Sequence, residues 1–175
     1  MQMDFSKFKT SDWLMIGGGA LAVIGGLFLD WISASGFGGG FNAFDFTLTG
    51  ALPWLLLVAS AVITVLLLME TLDAKSQPWP LILLGATGLA VLLLLIRVVF
   101  NPGIPDGLSR GIGMLLTVLA GFLAAAGAFM NFQASGGNLN DLKDINKIKA
   151  SFGGSDGASD GSDAGSMPPP PPPAQ

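Results

Sequence analysis

Cysteine, histidine and tyrosine are absent from this chain, and charge is scarce: Asp, Glu, Lys and Arg make up 11% of its 175 residues, against 51% hydrophobic. Without cysteine there is no disulfide framework and no thiolate to act as nucleophile or metal ligand. Without histidine the commonest general base and metal ligand is missing as well. These absences lead to the expectation of a non-enzymatic protein with no cofactor and no metal. The formal net charge of −4 comes largely from Asp residues near the C-terminus, which argues against a nucleic-acid partner. Where charges do occur, they sit outside a few long apolar runs. A soluble domain has to distribute charge along every element to wet one face. Segments of about twenty residues with one charge or none suit a bilayer instead.

Four such runs are present, at about 13–32, 51–69, 80–100 and 111–132. At ~1.5 Å per residue each is long enough to cross a hydrocarbon core of about 30 Å. Trp13 and Trp31 bracket the first run and Trp54 stands at the start of the second, positions that suit interfacial anchors. Pro53 falls in a first helical turn, where its missing N–H is tolerated. Asn101-Pro102-Gly103 and Pro105-Asp106-Gly107 break the chain between the third and fourth runs. The expected fold class is therefore all-α: an integral membrane four-helix bundle over 13–132, preceded by a short N-terminus (1–12) and followed by a disordered C-terminal tail.

Orientation follows from the basic residues. Lys7, Lys9, Lys75, Lys143, Lys147 and Lys149 all fall on one side of a four-span protein, and only Arg97 and Arg110 on the other. Lysine and arginine in short flanking segments stay inside, so a multi-pass protein of the cell membrane is expected, with both termini cytoplasmic and residues 33–50 and 101–110 outside. A competing pattern exists. Lys7 and Lys9 ahead of the apolar stretch 14–29, with Ser33 and Ser35 at cleavage spacing, also describe a signal peptide, although the stretch is long for one and Asp30-Trp31 suits an anchored helix end.

Lipid gives helices no hydrophobic reason to associate, so close packing relies on small residues. The first run carries Gly18, Ala22 and Gly26, and the fourth carries Gly113, Thr117, Gly121 and Ala125, each spaced by about four. These stripes serve either to pack the bundle internally or to join it to a homo-oligomer or a larger membrane complex. Runs two and three are Leu-rich, with Leu55, Leu56 and Leu57, Leu66, Leu67 and Leu68, and Leu92, Leu93, Leu94 and Leu95, and should face membrane lipids. Asp30 and Arg97 lie at similar depth near the outer ends of runs one and three. A charge there either pairs or snorkels to the interface, so Asp30–Arg97 is a candidate ion pair. At mid-depth the sequence offers only Ser60, Thr64, Thr87 and Thr117, all able to bond their own helix backbone.

The first outer loop places Phe37, Phe41, Phe44 and Phe46 among glycines. It is read either as a docking loop or as an aromatic cap on the helix ends, with Asp45 capping the turn into the second span or pairing with Arg110. Residues 133–150 carry Leu139, Leu142, Ile145 and Ile148 at helical spacing between charges, the pattern of an amphipathic juxtamembrane helix. Residues 151–175 are expected to be disordered, because Gly, Ser, Ala and Asp bury too little to offset chain entropy. They end in Pro168, Pro169, Pro170, Pro171, Pro172 and Pro173, a polyproline II stub of the kind read by aromatic grooves on a cytoplasmic partner, or an inert spacer.

Lys9-Thr10-Ser11-Asp12-Trp13 leading into the first run, Asp30-Trp31-Ile32 at its exit and Phe41-Asn42-Ala43-Phe44-Asp45 before the second resemble small, uncharacterised four-transmembrane-helix proteins of the high-GC Gram-positive (actinobacterial) type, over about residues 9–132. In overall plan the chain is similar to claudin-like and tetraspanin-like organisers, but it lacks their paired loop cysteines. The resemblance implies a membrane location and no particular activity. Two classes of function remain: an accessory or scaffolding protein that associates through its helices and recruits a partner with its tail, or a small transporter, channel subunit or lipid-handling protein, which would need polar groups or broken helices at mid-depth.

Overall fold

A computed structural model describes residues 8–34, 40–74, 77–100 and 108–137, together with Lys143, Asn146 and Ile148. The expected disordered tail, the proline stub and most of the amphipathic segment at 133–150 lie outside the described residues. Four helices dominate: α1 (Thr10–Val23), α2 (Leu52–Leu68), α3 (Trp79–Phe100) and α4 (Ile112–Ala134). A π-helical turn at Ile24–Phe28 prolongs α1, and another at Thr47–Ala51 leads into α2. With these extensions all four helices are long and apolar enough to cross a membrane.

The helices form an antiparallel ring. Each packs on the next in sequence, and α1 closes the ring against α4. The start of α1 and the end of α4 therefore lie at one end of the bundle. The closure rests on backbone-to-backbone approach. A Cβ on Gly18 would stand 2.7 Å from the Ala120 carbonyl oxygen and 2.9 Å from the Ala124 nitrogen, and a Cβ on Gly25 2.9 Å from the Gly113 carbonyl oxygen. Real side chains do not fit there, so glycine at these positions sets the helix separation. The small-residue stripes are thus consumed inside the chain. Ala22 and Thr117 are fully buried on the same seam, whereas Gly26 turns to the Trp54 indole and Gly121 to Val91 and Leu94. Ala125 is only half-buried.

The Leu-rich helices occupy the outside. In their apolar stretches 22% of α2 and 28% of α3 is buried, against 44% for α1 and for α4, so α2 and α3 turn most of their surface outward. Helices α2 and α4 both end in a hydrogen-bonded reversal. Thr71 N–H donates to the Leu66 carbonyl and Gly137 N–H to that of Phe132, with Glu70 and Gly136 at positive φ supplying the left-handed step.

At the opposite end the structure departs from a purely helical expectation. Three short strands, β1 (Ile32–Ala34), β2 (Gly40–Phe41) and β3 (Leu108–Arg110), form an antiparallel sheet in the order β2-β1-β3. Ile32 lies between Phe41 and Arg110, and Ser33 between Gly40 and Ser109. The sheet joins the α1–α2 connection to the α3–α4 connection. Strands of two or three residues carry no readable alternation, and the β1–β3 pairing links positions 76 residues apart, as in the bond from Ser109 Oγ to the Ser33 carbonyl. Local sequence therefore gives no sign of it.

The sheet also moves the first helix boundary. Helical structure stops at Phe28, so Asp30 stands beyond it and Trp31 folds back into the molecule. Trp31 is fully buried and donates its indole N–H to the Gly25 carbonyl at 3.0 Å. Trp54 is likewise buried, donating to the Ala22 carbonyl at 2.8 Å. Neither is the interfacial anchor expected from its place in the sequence. A change from α to π pitch shifts carbonyls away from their in-helix donors, and two indoles donate at that point. Trp13, half exposed at 51%, does occupy an anchor-like position.

The packing predicts opposite signs for two equivalent substitutions. Gly18→Ala should cost about 1–3 kcal/mol through overpacking. Gly85→Ala, on an open face of α3 with nothing within 4 Å, should stabilise by up to about 1 kcal/mol through helix propensity. Thermal unfolding of both variants in detergent micelles checks the pair.

Candidate functional site

The sheet end holds an aromatic cap. Asn42 and Asp45 fix the turn that starts it: Phe44 N–H donates to Asn42 Oδ1 at 2.8 Å, and Asn42 N–H donates to Asp45 Oδ2 at 2.7 Å. This reciprocal pair closes a single 3-10 turn, Ala43–Asp45, and buries Ala43 completely. Phe46 then points back over the bundle, its carbonyl accepting from Gly50 and Ala51 N–H. Phe44 meets Trp54 edge-on at 5.0 Å, and Phe41 lies 6.1 Å from Phe46. The aromatics cap the helix ends.

Beneath them is Arg97. Its side chain is 1% exposed, and Cζ lies 3.7 Å from the centre of the Phe46 ring. A guanidinium removed from water and stacked on a ring face gains about 2 kcal/mol or more from the ring quadrupole. Arg97 thus stacks on Phe46, and among the described residues it forms no ion pair with Asp30. Asp30 is exposed past the helix end, its carboxylate against Gly40, where any Cβ would overlap it. Asp45 is engaged at Asn42, and Arg110 is exposed on β3 opposite Ile32. The four charged residues share one end of the fold without forming the expected Asp30–Arg97 or Asp45–Arg110 pairs among the described residues.

At mid-depth the four hydroxyls turn to their own helices. Ser60 donates to the Leu56 carbonyl at 2.7 Å, Thr64 to Ser60, Thr87 to Leu83 and Thr117 to Gly113, each at 2.8 Å. All four side chains face the interior and are buried. Each hydroxyl has a single proton, and it is already committed to a carbonyl. Among the described residues no group of three or more acidic, cysteine or histidine side chains converges.

At the terminus end, a cavity of about 240 Å³ lies where the four helices meet. Asp12 of α1, Thr64 and Leu68 of α2, Trp79 of α3 and Asn131 of α4 line it, with Lys9 also on its wall. Asp12 is 6% exposed. One of its oxygens accepts the Lys9 backbone N–H at 2.9 Å, as a first-turn acid does. In sequence Asp12 falls in the short N-terminus ahead of the first apolar run, whereas it lies in the first turn of α1. That it is buried, and that it shares a space with Trp79 and Asn131, depends on ring closure.

No protein-family model matches the chain, and comparison with curated proteins and with solved structures found no similar one. Function is therefore argued from geometry.

The cap is testable as a coupled pair. In a double-mutant cycle of Arg97→Met and Phe46→Leu, chemical denaturation in micelles should show a coupling of about 1–2 kcal/mol. A Trp54→Phe control should lose about 1–3 kcal/mol by leaving the Ala22 carbonyl without a donor, independently of Arg97.

Proposed function

We propose that the chain is a non-enzymatic, multi-pass cell-membrane protein, N- and C-termini cytoplasmic, that serves as an accessory or scaffolding component. The observation that carries this reading is the closed interior. The small-residue seam is spent on joining α1 to α4, and the buried hydroxyls are spent on their own carbonyls. A carrier or channel needs polar groups or broken backbone at mid-depth, and the four hydroxyls described there are committed to carbonyls of their own helices. What remains for interaction is peripheral: the outward apolar faces of α2 and α3 toward membrane lipids or a larger membrane complex, the aromatic cap, and the proline-ended tail toward a cytoplasmic partner. Association of copies through the Gly18/Gly113 stripes is not part of this reading, because those faces are already covered within the chain.

The lack of cysteine makes the orientation directly measurable. Single-cysteine variants Ser109→Cys and Lys143→Cys, both at exposed positions, are labelled in intact cells with a membrane-impermeant maleimide. Labelling of position 109 without lysis, and of position 143 only after lysis, is expected, and the reverse pattern overturns the orientation. The scaffold role is tested by affinity purification in mild detergent with and without residues 151–175. A co-purifying partner that is lost with the tail is expected. A partner-free eluate from both forms counts against the role.

A further inference from the structure

The terminus-end cavity supports a specific ligand class, and its case does not depend on the scaffold reading. We propose that it binds a small organic cation, an amine or quaternary ammonium group on a short apolar body. Asp12 supplies the counter-charge: it lines the cavity, is more than nine-tenths buried, and among the described residues accepts a hydrogen bond at one of its two oxygens, from Lys9 N–H. A carboxylate keeps capacity for several more donors when one is satisfied. Trp79 contributes an aromatic wall, the best partner for an ammonium group. Its indole N–H is already donated to the Asp73 carbonyl at 3.1 Å, which holds the indole in place.

Two features restrict the ligand. At about 240 Å³ the space is smaller than the roughly 300–1,000 Å³ of drug-sized sites, so it takes something of head-group size. Lys9 stands on the wall and is solvent-exposed. Its ammonium group repels a bound cation, so removing it should strengthen binding. The same cationic chemistry is offered by a free amine and by the ethanolamine head group of a membrane lipid.

The test uses the full chain in dodecyl maltoside micelles, titrated calorimetrically with benzyltrimethylammonium and, as a same-sized anion, benzylsulfonate. The cation is expected to bind with a dissociation constant between about 1 μM and 1 mM, and the anion not at all. Asp12→Asn should weaken binding by about tenfold or more, the scale of a lost charge-assisted contact, and Lys9→Met should tighten it. Equal binding of the anion, or unchanged affinity in an Asp12→Asn protein that melts like wild type, overturns the proposal. If Asp12→Asn does not fold, Trp79→Leu and Lys9→Met decide: both affinities unchanged overturns it. Nanodiscs separate the sources. Loss of cation binding in phosphatidylethanolamine but not in phosphatidylglycerol identifies a lipid head group as occupant. Retention in both identifies a free amine, and loss only in phosphatidylglycerol overturns the site.

Discussion

The backbone contact between α1 and α4 is the constraint on which the rest of this structure depends. Gly18 against Ala120 and Ala124, and Gly25 against Gly113, bring the first and last helices to the closest approach that main chains allow. That approach converts four consecutive helices into a ring. It also brings residues 30–34 alongside residues 108–113, so that Gly111 N–H reaches the Trp31 carbonyl at 2.7 Å and Gly113 N–H the Asp30 carbonyl at 3.1 Å. The β1–β3 pairing continues this contact past the helix ends. At the other end of the same seam Gly127 meets Ser11 and Met15, which draws Asp12 into the interior.

The two ends solve opposite electrostatic problems. At the sheet end a positive side chain is buried and stacks on a ring face, delivered by a turn that Asn42 and Asp45 hold through reciprocal bonds. At the terminus end a negative side chain is buried beside a cavity and has hydrogen-bonding capacity remaining. Burial of an ion in apolar surroundings is costly unless it is compensated. At the first end an aromatic partner offsets part of that cost. The second leaves room for a ligand to do so.

Much of the architecture was legible because a bilayer-length apolar run is a long, strongly determined signal. The four helices fall within a few residues of the runs at 13–32, 51–69, 80–100 and 111–132, and the hydroxyls at 60, 64, 87 and 117 bond their own helices as their chemistry allows. The roles of tryptophan were not legible. Position near the end of a run made Trp31 and Trp54 look like interfacial anchors, whereas both indoles turn inward and donate to carbonyls of the first span, Gly25 in its π-helical turn and Ala22 just before it. The Asp30–Arg97 pairing was a depth argument; helical structure stops before Asp30, which is exposed, and Arg97 stacks on Phe46.

The sequence by itself determined the number and length of the helices, the outward-facing character of α2 and α3, and the inability of the chain to do histidine or cysteine chemistry. These follow from composition and from periodicity within single segments. Only the tertiary structure decided that the small-residue stripes join α1 to α4 within one chain, that a three-stranded sheet ties the two connections together, that Arg97 lies under Phe46, and that Asp12, Trp79 and Asn131 share one cavity. Each of these is a meeting between segments distant in sequence. Helix closure fixes such meetings, and no local pattern encodes them.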